Sequence, residues 1–192
     1  MLALLDTGYS NLKSYSNLLK YLKKDFEIVA EGKNLKSSRY DCVILPGVST
    51  FGALSRELHK RQFTNKLHEF YSNGKKIIGT CSGMQILFDT SDESLGAPGL
   101  GLIKGGVKRF PKKDKTNINI GWRQLGTESY FFVHGYYCEA TEDLDKQVFS
   151  KFNGIKFLAQ LRKNNLYGFQ CHPEKSGING IKMFHEVLSE DG

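Results

Sequence analysis

Short apolar runs alternate with amphipathic stretches over the first half of the chain. A short apolar or β-branched run closed by glycine, proline or a polar residue is typical of a buried strand. Strands are predicted in this way over residues 2–6, 26–30, 40–46 and 75–80. Apolar residues at helical spacing predict helices over residues 10–24, 51–59, 62–73 and 82–90. Strands that alternate with helices favour a parallel sheet with helices on both faces.

The second half of the chain has a different pattern. β-branched and aromatic runs are separated by Gly, Asn and Lys turns, and they predict strands within residues 99–110, 118–125, 129–140, 154–164 and 166–171. Residues 176–188 form the only clear helical pattern in this half. At 192 residues, one hydrophobic core is expected. We therefore expect a single α/β domain, residues 1–192, with an open, mostly parallel sheet flanked by helices and extended by antiparallel strands.

Composition favours a globular, cytoplasmic protein. Hydrophobic residues make up 40% of the chain and charged residues 24%. Apolar runs stay shorter than the roughly 18–20 residues that a membrane span needs. The first residues carry an acid, Asp6, with neither a basic leader nor a small-residue cleavage site. We expect no membrane partner.

The chain is basic, with a net charge of +7. A basic protein can bind nucleic acid or an anionic ligand. Its lysines, however, are scattered over residues 20–27, 108–115 and 158–165 with few interleaved aromatic residues. A solvated basic surface is the simplest interpretation, and steering of an anionic substrate or partner is the alternative. No nucleic-acid partner is expected.

The cysteines are widely spaced and form no C-x-x-C pair. They are Cys42, Cys81, Cys138 and Cys171. Reduced thiols are therefore expected rather than a disulfide framework or a zinc ribbon. A metal site would require convergence of Cys81, Cys171, His134 and His172, and we do not expect one.

Cys81 lies between an apolar run and a helical pattern, in the frame Gly79-x-Cys81-x-Gly83. A tight turn of this kind needs flanking residues without side chains. It lifts the thiol to the carboxyl edge of the sheet, where the start of a helix favours the thiolate. A cysteine in such a turn can also be a simple packing residue. The pattern alone leaves both interpretations open.

A base for a thiol nucleophile is offered by His172, which is followed by Pro173 and Glu174. If residues 166–172 form a strand, His172 and Glu174 point to the same side, as an imidazole supported by a carboxylate requires. An ordinary surface loop is the alternative. Cys171 is expected to point away and pack in the core.

Other histidines are less easily connected with catalysis. His134 lies in an aromatic strand pattern, and we interpret it as structural or supporting rather than catalytic. His59, His68 and His185 lie on predicted helices and are interpreted as surface residues.

The segments "GTCSGMQ" and "CHPEKS" resemble the class I glutamine amidotransferase family. The resemblance implies that Cys81 is the nucleophile, His172 the general base and acid, and Glu174 its orienting partner. The stretch "LPGVSTFG" resembles the oxyanion loop of that family. The main-chain amides of Val48 and Ser82 are then expected to stabilise the oxyanion.

Within this family, "LLDTGYSNLKS", "INIGWRQL" and "YFFVHGYY" resemble the glutaminase subunits that supply ammonia to a (β/α) barrel cyclase in histidine biosynthesis. The resemblance implies hydrolysis of L-glutamine through a cysteinyl thioester, without a cofactor, in a heterodimer with that cyclase. The residues that it implies for glutamine binding are Gly47, Ser49, Gln85 and Glu93. It places Asn11 and Lys175 at the cyclase interface.

Several positions depart from the family pattern. Ser49 stands for a glycine, Ser82 for a bulky aliphatic residue, Cys171 for an aromatic one, Asn119 for a histidine, Arg123 for an asparagine and Gly135 for a serine. A side chain at position 49 restricts the backbone and crowds the glutamine site. The departures leave open a related glutaminase for surface-sugar amidination and a catalytically weak regulatory subunit. A cysteine hydrolase or peptidase on a similar scaffold is a further alternative.

Overall fold

Strands and helices alternate along the first half of the chain in the computed structural model, which describes residues 1–112 and 116–190. The helices are α1 (Leu12–Tyr21), α2 (Phe51–Lys60), α3 (Phe63–Ser72), α4 (Ser82–Gln85) and α5 (Gly177–Ser189). The strands are β1 (Leu2–Leu5), β2 (Phe26–Val29), β3 (Cys42–Gly47), β4 (Lys76–Cys81), β5 (Thr90–Ser91), β6 (Gly105–Arg109), β7 (Asn119–Leu125), β8 (Glu128–His134), β9 (Tyr136–Ala140), β10 (Lys146–Phe152), β11 (Ile155–Lys163) and β12 (Leu166–Phe169). Single 3₁₀ turns cover Gly32–Asn34 and Pro173–Lys175. Lys113 and Lys115, in one of the lysine-rich segments, lie outside the described residues.

The centre of the fold is a seven-stranded sheet in the order β10-β11-β12-β4-β3-β1-β2. The strands from β12 to β2 run parallel, and β11 and β10 continue the sheet antiparallel. A three-stranded sheet, β5-β6-β9, and a hairpin, β7-β8, complete the structure. The predicted α/β fold, mostly parallel with antiparallel additions, is confirmed.

Both faces of the central sheet are covered. Every residue of β3 and β4 is buried, as expected for central parallel strands between two helical layers. One core packs Phe51, Phe63 and Phe70 of α2 and α3 against the sheet. The core on the other face contains Tyr15 of α1 and Phe184 of α5. No helix among the described residues is long and apolar enough to cross a membrane.

The helix predicted over residues 82–90 is wrong beyond Gln85. Carbonyl groups that would continue it accept hydrogen bonds from the following loop instead. Leu100 donates to the Ile86 oxygen at 2.7 Å, and Leu102 donates to the Leu87 oxygen at 2.9 Å. The apolar side chains of this segment are buried in either arrangement, so the sequence pattern did not distinguish a buried loop from a helix.

The strands of the second half also differ from the prediction, and the run over residues 129–140 forms two strands, β8 and β9. The strand predicted over residues 166–171 ends at Phe169, before the residues that were expected to continue it. The strand β10 was not predicted, because it lies at the sheet edge and Ser150 is its only buried residue. An edge strand of this kind lacks the apolar alternation on which the prediction depends.

Candidate active site

Cys81 occupies the junction between β4 and α4 in a strained backbone conformation. Its φ of 52° and ψ of −116° are unusual for a residue with a side chain, and a conformation of this kind costs on the order of 1–3 kcal/mol. The side chain lies at the edge of a cleft and is 7% exposed. The turn therefore presents the thiol at the carboxyl edge of the parallel sheet.

Close backbone packing explains the glycines of this turn. A Cβ atom at Gly79 would lie 2.3 Å from the Gly83 oxygen, and one at Gly83 would lie 1.9 Å from the Leu45 oxygen. Gly47, which pairs with Cys81 in the sheet register, allows β3 to approach Ser82 in the same way. The strain at Cys81 is thus held by β3, β4 and α4 together.

The imidazole of His172 lies between Cys81 and Glu174. Its Nδ1 atom donates to Oε1 of Glu174 at 3.0 Å, which leaves Nε2 for the thiol. Burial alone would lower the pKa of His172, but the neighbouring Cys81 and Glu174 raise it to about 10. The side chains of His172 and Glu174 are 6% and 0% exposed. The structure thus brings the predicted nucleophile, base and carboxylate together.

The conformation that joins His172 to Glu174 differs from the predicted one. His172 is extended, but Glu174 lies in the 3₁₀ turn Pro173–Lys175 rather than on a continued strand. The hydroxyl group of Ser176 donates to the His172 oxygen at 2.7 Å and fixes this turn. The carboxylate therefore reaches the imidazole from a turn, which a period-2 argument cannot describe.

A buried tyrosine, Tyr15, lies near the Glu174 carboxylate. The hydroxyl groups of Tyr15 and Thr80 lie 2.6 Å apart. Burial, with the Glu174 carboxylate nearby, raises the pKa of Tyr15 well above its usual value.

Cys171 packs as predicted, in the core, with its sulfur 4.0 Å from that of Met183.

The predicted oxyanion loop does not offer both of its amides in this conformation. The Val48 amide donates to the Tyr9 carbonyl oxygen at 3.0 Å, so its hydrogen is already in use. The role predicted for Val48 therefore requires a different orientation of this peptide. Ser82 is the first residue of α4, where a backbone amide has no partner within the helix. Its amide remains a candidate oxyanion donor.

Two of the departures from the family pattern contact each other. The amide of Ser49 donates to the hydroxyl oxygen of Ser82 at 3.4 Å. This contact ties the loop after β3 to the start of α4, beside the nucleophile. It depends on the Ser82 hydroxyl, which an aliphatic residue would lack.

A cleft of about 780 Å³ opens beside Cys81. Of the predicted site residues, it is lined by Val48, Ser49, Cys81, Ser82, Gln85, Glu93, His172 and Lys175. Glu174 and Gly47 do not line the cleft: Glu174 is bonded to His172, and Gly47 is the last residue of β3. Asn11 does not line the cleft and precedes α1. Arg109 and Tyr136 also line it, and the sequence analysis did not identify either.

The two predicted polar ligands of glutamine are themselves held by hydrogen bonds. Gln85 donates from Nε2 to the Tyr136 oxygen at 3.0 Å and to Gln170 at 3.1 Å. Glu93 accepts from the Phe51 amide at 2.6 Å, at the start of α2. Gln85 bonds through its nitrogen and Glu93 through one oxygen, so the Gln85 oxygen and the other Glu93 oxygen remain available for a substrate.

His134 is a buried, neutral support for the cleft wall. Its Nδ1 atom lies 2.7 Å from the Tyr136 oxygen and must therefore donate. The other ring nitrogen then accepts from Asn119 at 2.9 Å. Burial lowers the pKa of His134 to about 4. This fits the predicted supporting role.

The remaining histidines lie on helices, and the cysteines are buried. His59, His68 and His185 are exposed, as predicted. The described residues contain no group of three or more His, Cys, Asp or Glu side chains that could hold a metal ion. All four cysteines are free thiols.

Comparison with known structures shows the same fold in glutamine amidotransferases. A crystal structure of a glutamine amidotransferase matches 98% of this chain and 99% of its own with a TM-score of 0.78 and 14% identity. The PurLQS structure from Thermotoga maritima matches 97% of this chain and 96% of its own with a TM-score of 0.75 and 18% identity. These likenesses concern the fold alone.

Sequence comparison extends over nearly the whole chain. The imidazole glycerol phosphate synthase subunit HisH of Chlorobaculum tepidum is 33% identical over 95% of this chain and 96% of its own length. The HisH subunit of Sulfurimonas denitrificans is 34% identical, covering 95% of both chains. Residues 8–173 match the CobB/CobQ-like glutamine amidotransferase domain. The chain therefore belongs to the class I glutamine amidotransferase family, the family that the segments around Cys81 and His172 resemble.

Proposed function

We propose that this chain is the glutaminase subunit of an imidazole glycerol phosphate synthase, hydrolysing L-glutamine and passing ammonia to a cyclase subunit. The observation that carries the proposal is the strained turn that presents Cys81 to the His172–Glu174 pair. The full-length similarity to HisH subunits supports the choice of acceptor.

The reaction begins at the thiol. His172 Nε2 holds the Cys81 proton, as its raised pKa favours, and the sulfur attacks the amide carbon of glutamine. The imidazolium then gives that proton to the departing nitrogen, so that ammonia leaves and a glutamyl thioester remains. Water, deprotonated by the same imidazole, cleaves the thioester and restores the thiol. Glu174 accepts a hydrogen bond from Nδ1 throughout and stabilises the charged imidazole.

The oxyanion of each tetrahedral intermediate needs hydrogen-bond donors. The Ser82 amide is available at the start of α4, while the Val48 amide is bonded to the Tyr9 oxygen. Losing one such donor typically costs about 10²–10³-fold in kcat. We therefore expect weak glutaminase activity from the isolated chain. Partner binding that turns the Val48 peptide toward the cleft would increase it.

The partner is proposed to cover the mouth of the cleft. Four exposed apolar side chains lie on one face of the β7-β8 hairpin or directly before it: Ile118, which precedes β7, and Ile120, Trp122 and Val133. We call this the hairpin face. Ile118 and Val133 also line the cleft. A cyclase of (β/α) barrel fold that docks here, with Asn11 and Lys175 near its edge, would receive ammonia without its passage through bulk water.

The test is ammonia release from L-glutamine by the purified chain. It is measured alone and with the cyclase subunit from the same genome plus its ribonucleotide ligand. Cys81→Ala is the inactive control. We expect weak release from the chain alone, stronger release in the complete mixture, and none from the variant.

A defined result of the same experiment would refute the proposed function. The cyclase is first shown to be active with an ammonium salt, which replaces the glutaminase. No release from L-glutamine in any mixture, with both proteins folded, would then refute the proposed function. Release that does not respond to the cyclase would point to another acceptor, such as a surface-sugar enzyme.

A further inference from the structure

Two residues of opposite charge line the cleft where β5 and β6 end. The strands β5 and β6 run parallel with Ser91 opposite Val107. The Asp92 amide continues this pairing to the Val107 oxygen at 2.9 Å. Glu93 lies in the turn after β5, Arg109 is the last residue of β6, and both line the cleft.

These two charges do not neutralise each other. No ion pair within 4.0 Å joins Arg109 to Glu93 or to any other acid among residues 1–112 and 116–190. The residues that directly precede them do pair, since Lys108 lies 3.4 Å from Asp92 on the surface. Glu93 is fixed by its hydrogen bond to the Phe51 amide. The cleft lining thus contains a held carboxylate and a guanidinium that pairs with no described acid, each one residue beyond the Lys108–Asp92 pair.

This charge arrangement matches one end of a free amino acid. An α-amino acid carries an ammonium and a carboxylate on the same carbon, so the groups that recognise them must be neighbours of opposite sign. We infer that Arg109 binds the α-carboxylate of glutamine while Glu93 binds its α-ammonium group. This inference rests on the proposed function. A guanidinium can bind a carboxylate through two parallel hydrogen bonds. The pair selects free glutamine over glutamine within a peptide, which lacks both charges.

The other cation in the cleft is less suitable for this role. Lys175 directly follows Glu174 in the 3₁₀ turn and lies on the catalytic side of the cleft. The amide carbon must be at Cys81, which puts the α-carbon at the far end of the side chain. Arg109 is the cation that neighbours the proposed ammonium site.

The experiment measures binding, so that it does not depend on turnover. L-glutamine and 4-aminobutanamide, which keeps the ammonium group and the amide but lacks the carboxylate, are titrated calorimetrically into Cys81→Ala. The titrations are repeated with Arg109→Gln added and with Lys108→Gln added. Lys108 is the matched control because its substitution removes the same charge from the adjacent position.

We expect Arg109→Gln to weaken L-glutamine binding about tenfold or more, as for the loss of a charged hydrogen bond. It should leave the weaker binding of 4-aminobutanamide unchanged, and Lys108→Gln should alter neither ligand. Equal weakening of both ligands, or no change for L-glutamine, would overturn the inference. Because these titrations need no turnover, failed ammonia release with intact selective binding would count against the proposed function and not against Arg109.

Discussion

At the scale of single residues, the neighbours of each buried histidine determine whether its imidazole is protonated. Cys81 and Glu174 raise the pKa of His172 to about 10 against the effect of burial, so its proton stays on the imidazole at neutral pH. The pKa of His134, close by, is lowered to about 4. Two buried histidines in one cleft therefore hold opposite protonation states, one as proton donor and one as neutral support.

Glu174→Gln should lower the pKa of His172, because the carboxylate that stabilises the imidazolium is lost. The measurement is an NMR titration of the histidine ring signals. In the wild type we expect one histidine titrating near 10 and another near 4. In Glu174→Gln only the first should move, to a value below 10, while Cys81, the larger of the two raising neighbours, stays in place.

The same shift has a consequence for stability. A histidine whose pKa is raised on folding stabilises the native state fully below its unfolded pKa, and this stabilisation is lost as pH rises through the folded value. The difference in unfolding free energy between wild type and Glu174→Gln should therefore shrink as pH rises through about 10. A wild-type His172 that titrates like an exposed histidine would contradict both expectations.

Some residue-level features could be predicted from sequence and others could not. The turn motif left the role of Cys81 open, and the roles proposed for Cys81 and His172 came from the resemblance of their two segments to the glutamine amidotransferase family. The state of the Val48 amide depends on the orientation of one peptide plane relative to Tyr9, and residue types do not determine that orientation. Arg109 escaped prediction because it lay in a basic stretch that resembled ordinary surface.

At the scale of elements, a buried lysine joins the central sheet to the last helix. Lys76 in β4 is 8% exposed and donates to the oxygen atoms of Val187 at 2.5 Å and Glu190 at 2.8 Å. Carbonyl groups in the last turn of a helix lack partners within the helix, and a cation there also favours the helix dipole. Lys76 therefore fixes the end of α5, whose other end follows the His172–Glu174 turn.

Lys76→Met should destabilise the protein by about 1–3 kcal/mol, since buried carbonyl groups lose their charged donor. Lys75→Met is the control, because Lys75 is 33% exposed and pairs with Asp41 at the surface. A surface pair of this kind contributes about 0–1 kcal/mol. Urea unfolding of both variants measures the difference. Equal loss in the two variants would show that Lys76 does not cap α5.

Element boundaries were harder to predict than element types. The parallel strands were recognisable because burial on both faces makes them continuously apolar. The end of α4 was not, because the loop around Leu100 supplies donors that are distant in sequence to the Ile86 and Leu87 carbonyl groups. Long-range hydrogen bonds of this kind leave no periodic signal in the chain that they interrupt.

At the scale of the whole molecule, the exposed apolar surface indicates where a partner that receives ammonia would dock. The hairpin face contains Ile120, which is 59% exposed, and Trp122, which is 53% exposed. Adjacent exposed apolar side chains of this kind mark interaction surfaces. Because the hairpin face borders the cleft through Ile118 and Val133, a partner seated on it would also close the site.

Ile120→Asp should weaken binding to the cyclase about tenfold or more, because a charge would be buried at the centre of the interface. The unfolding temperature of the isolated chain should hardly change, since the side chain is already solvated. Ile28→Asp is the matched control: Ile28 is 52% exposed and lies on β2, the far edge strand of the central sheet. Affinity is measured by calorimetry with the purified cyclase. If Ile28→Asp weakened the complex and Ile120→Asp did not, the partner would dock on the opposite side, and the cleft would have to release ammonia directly to solvent.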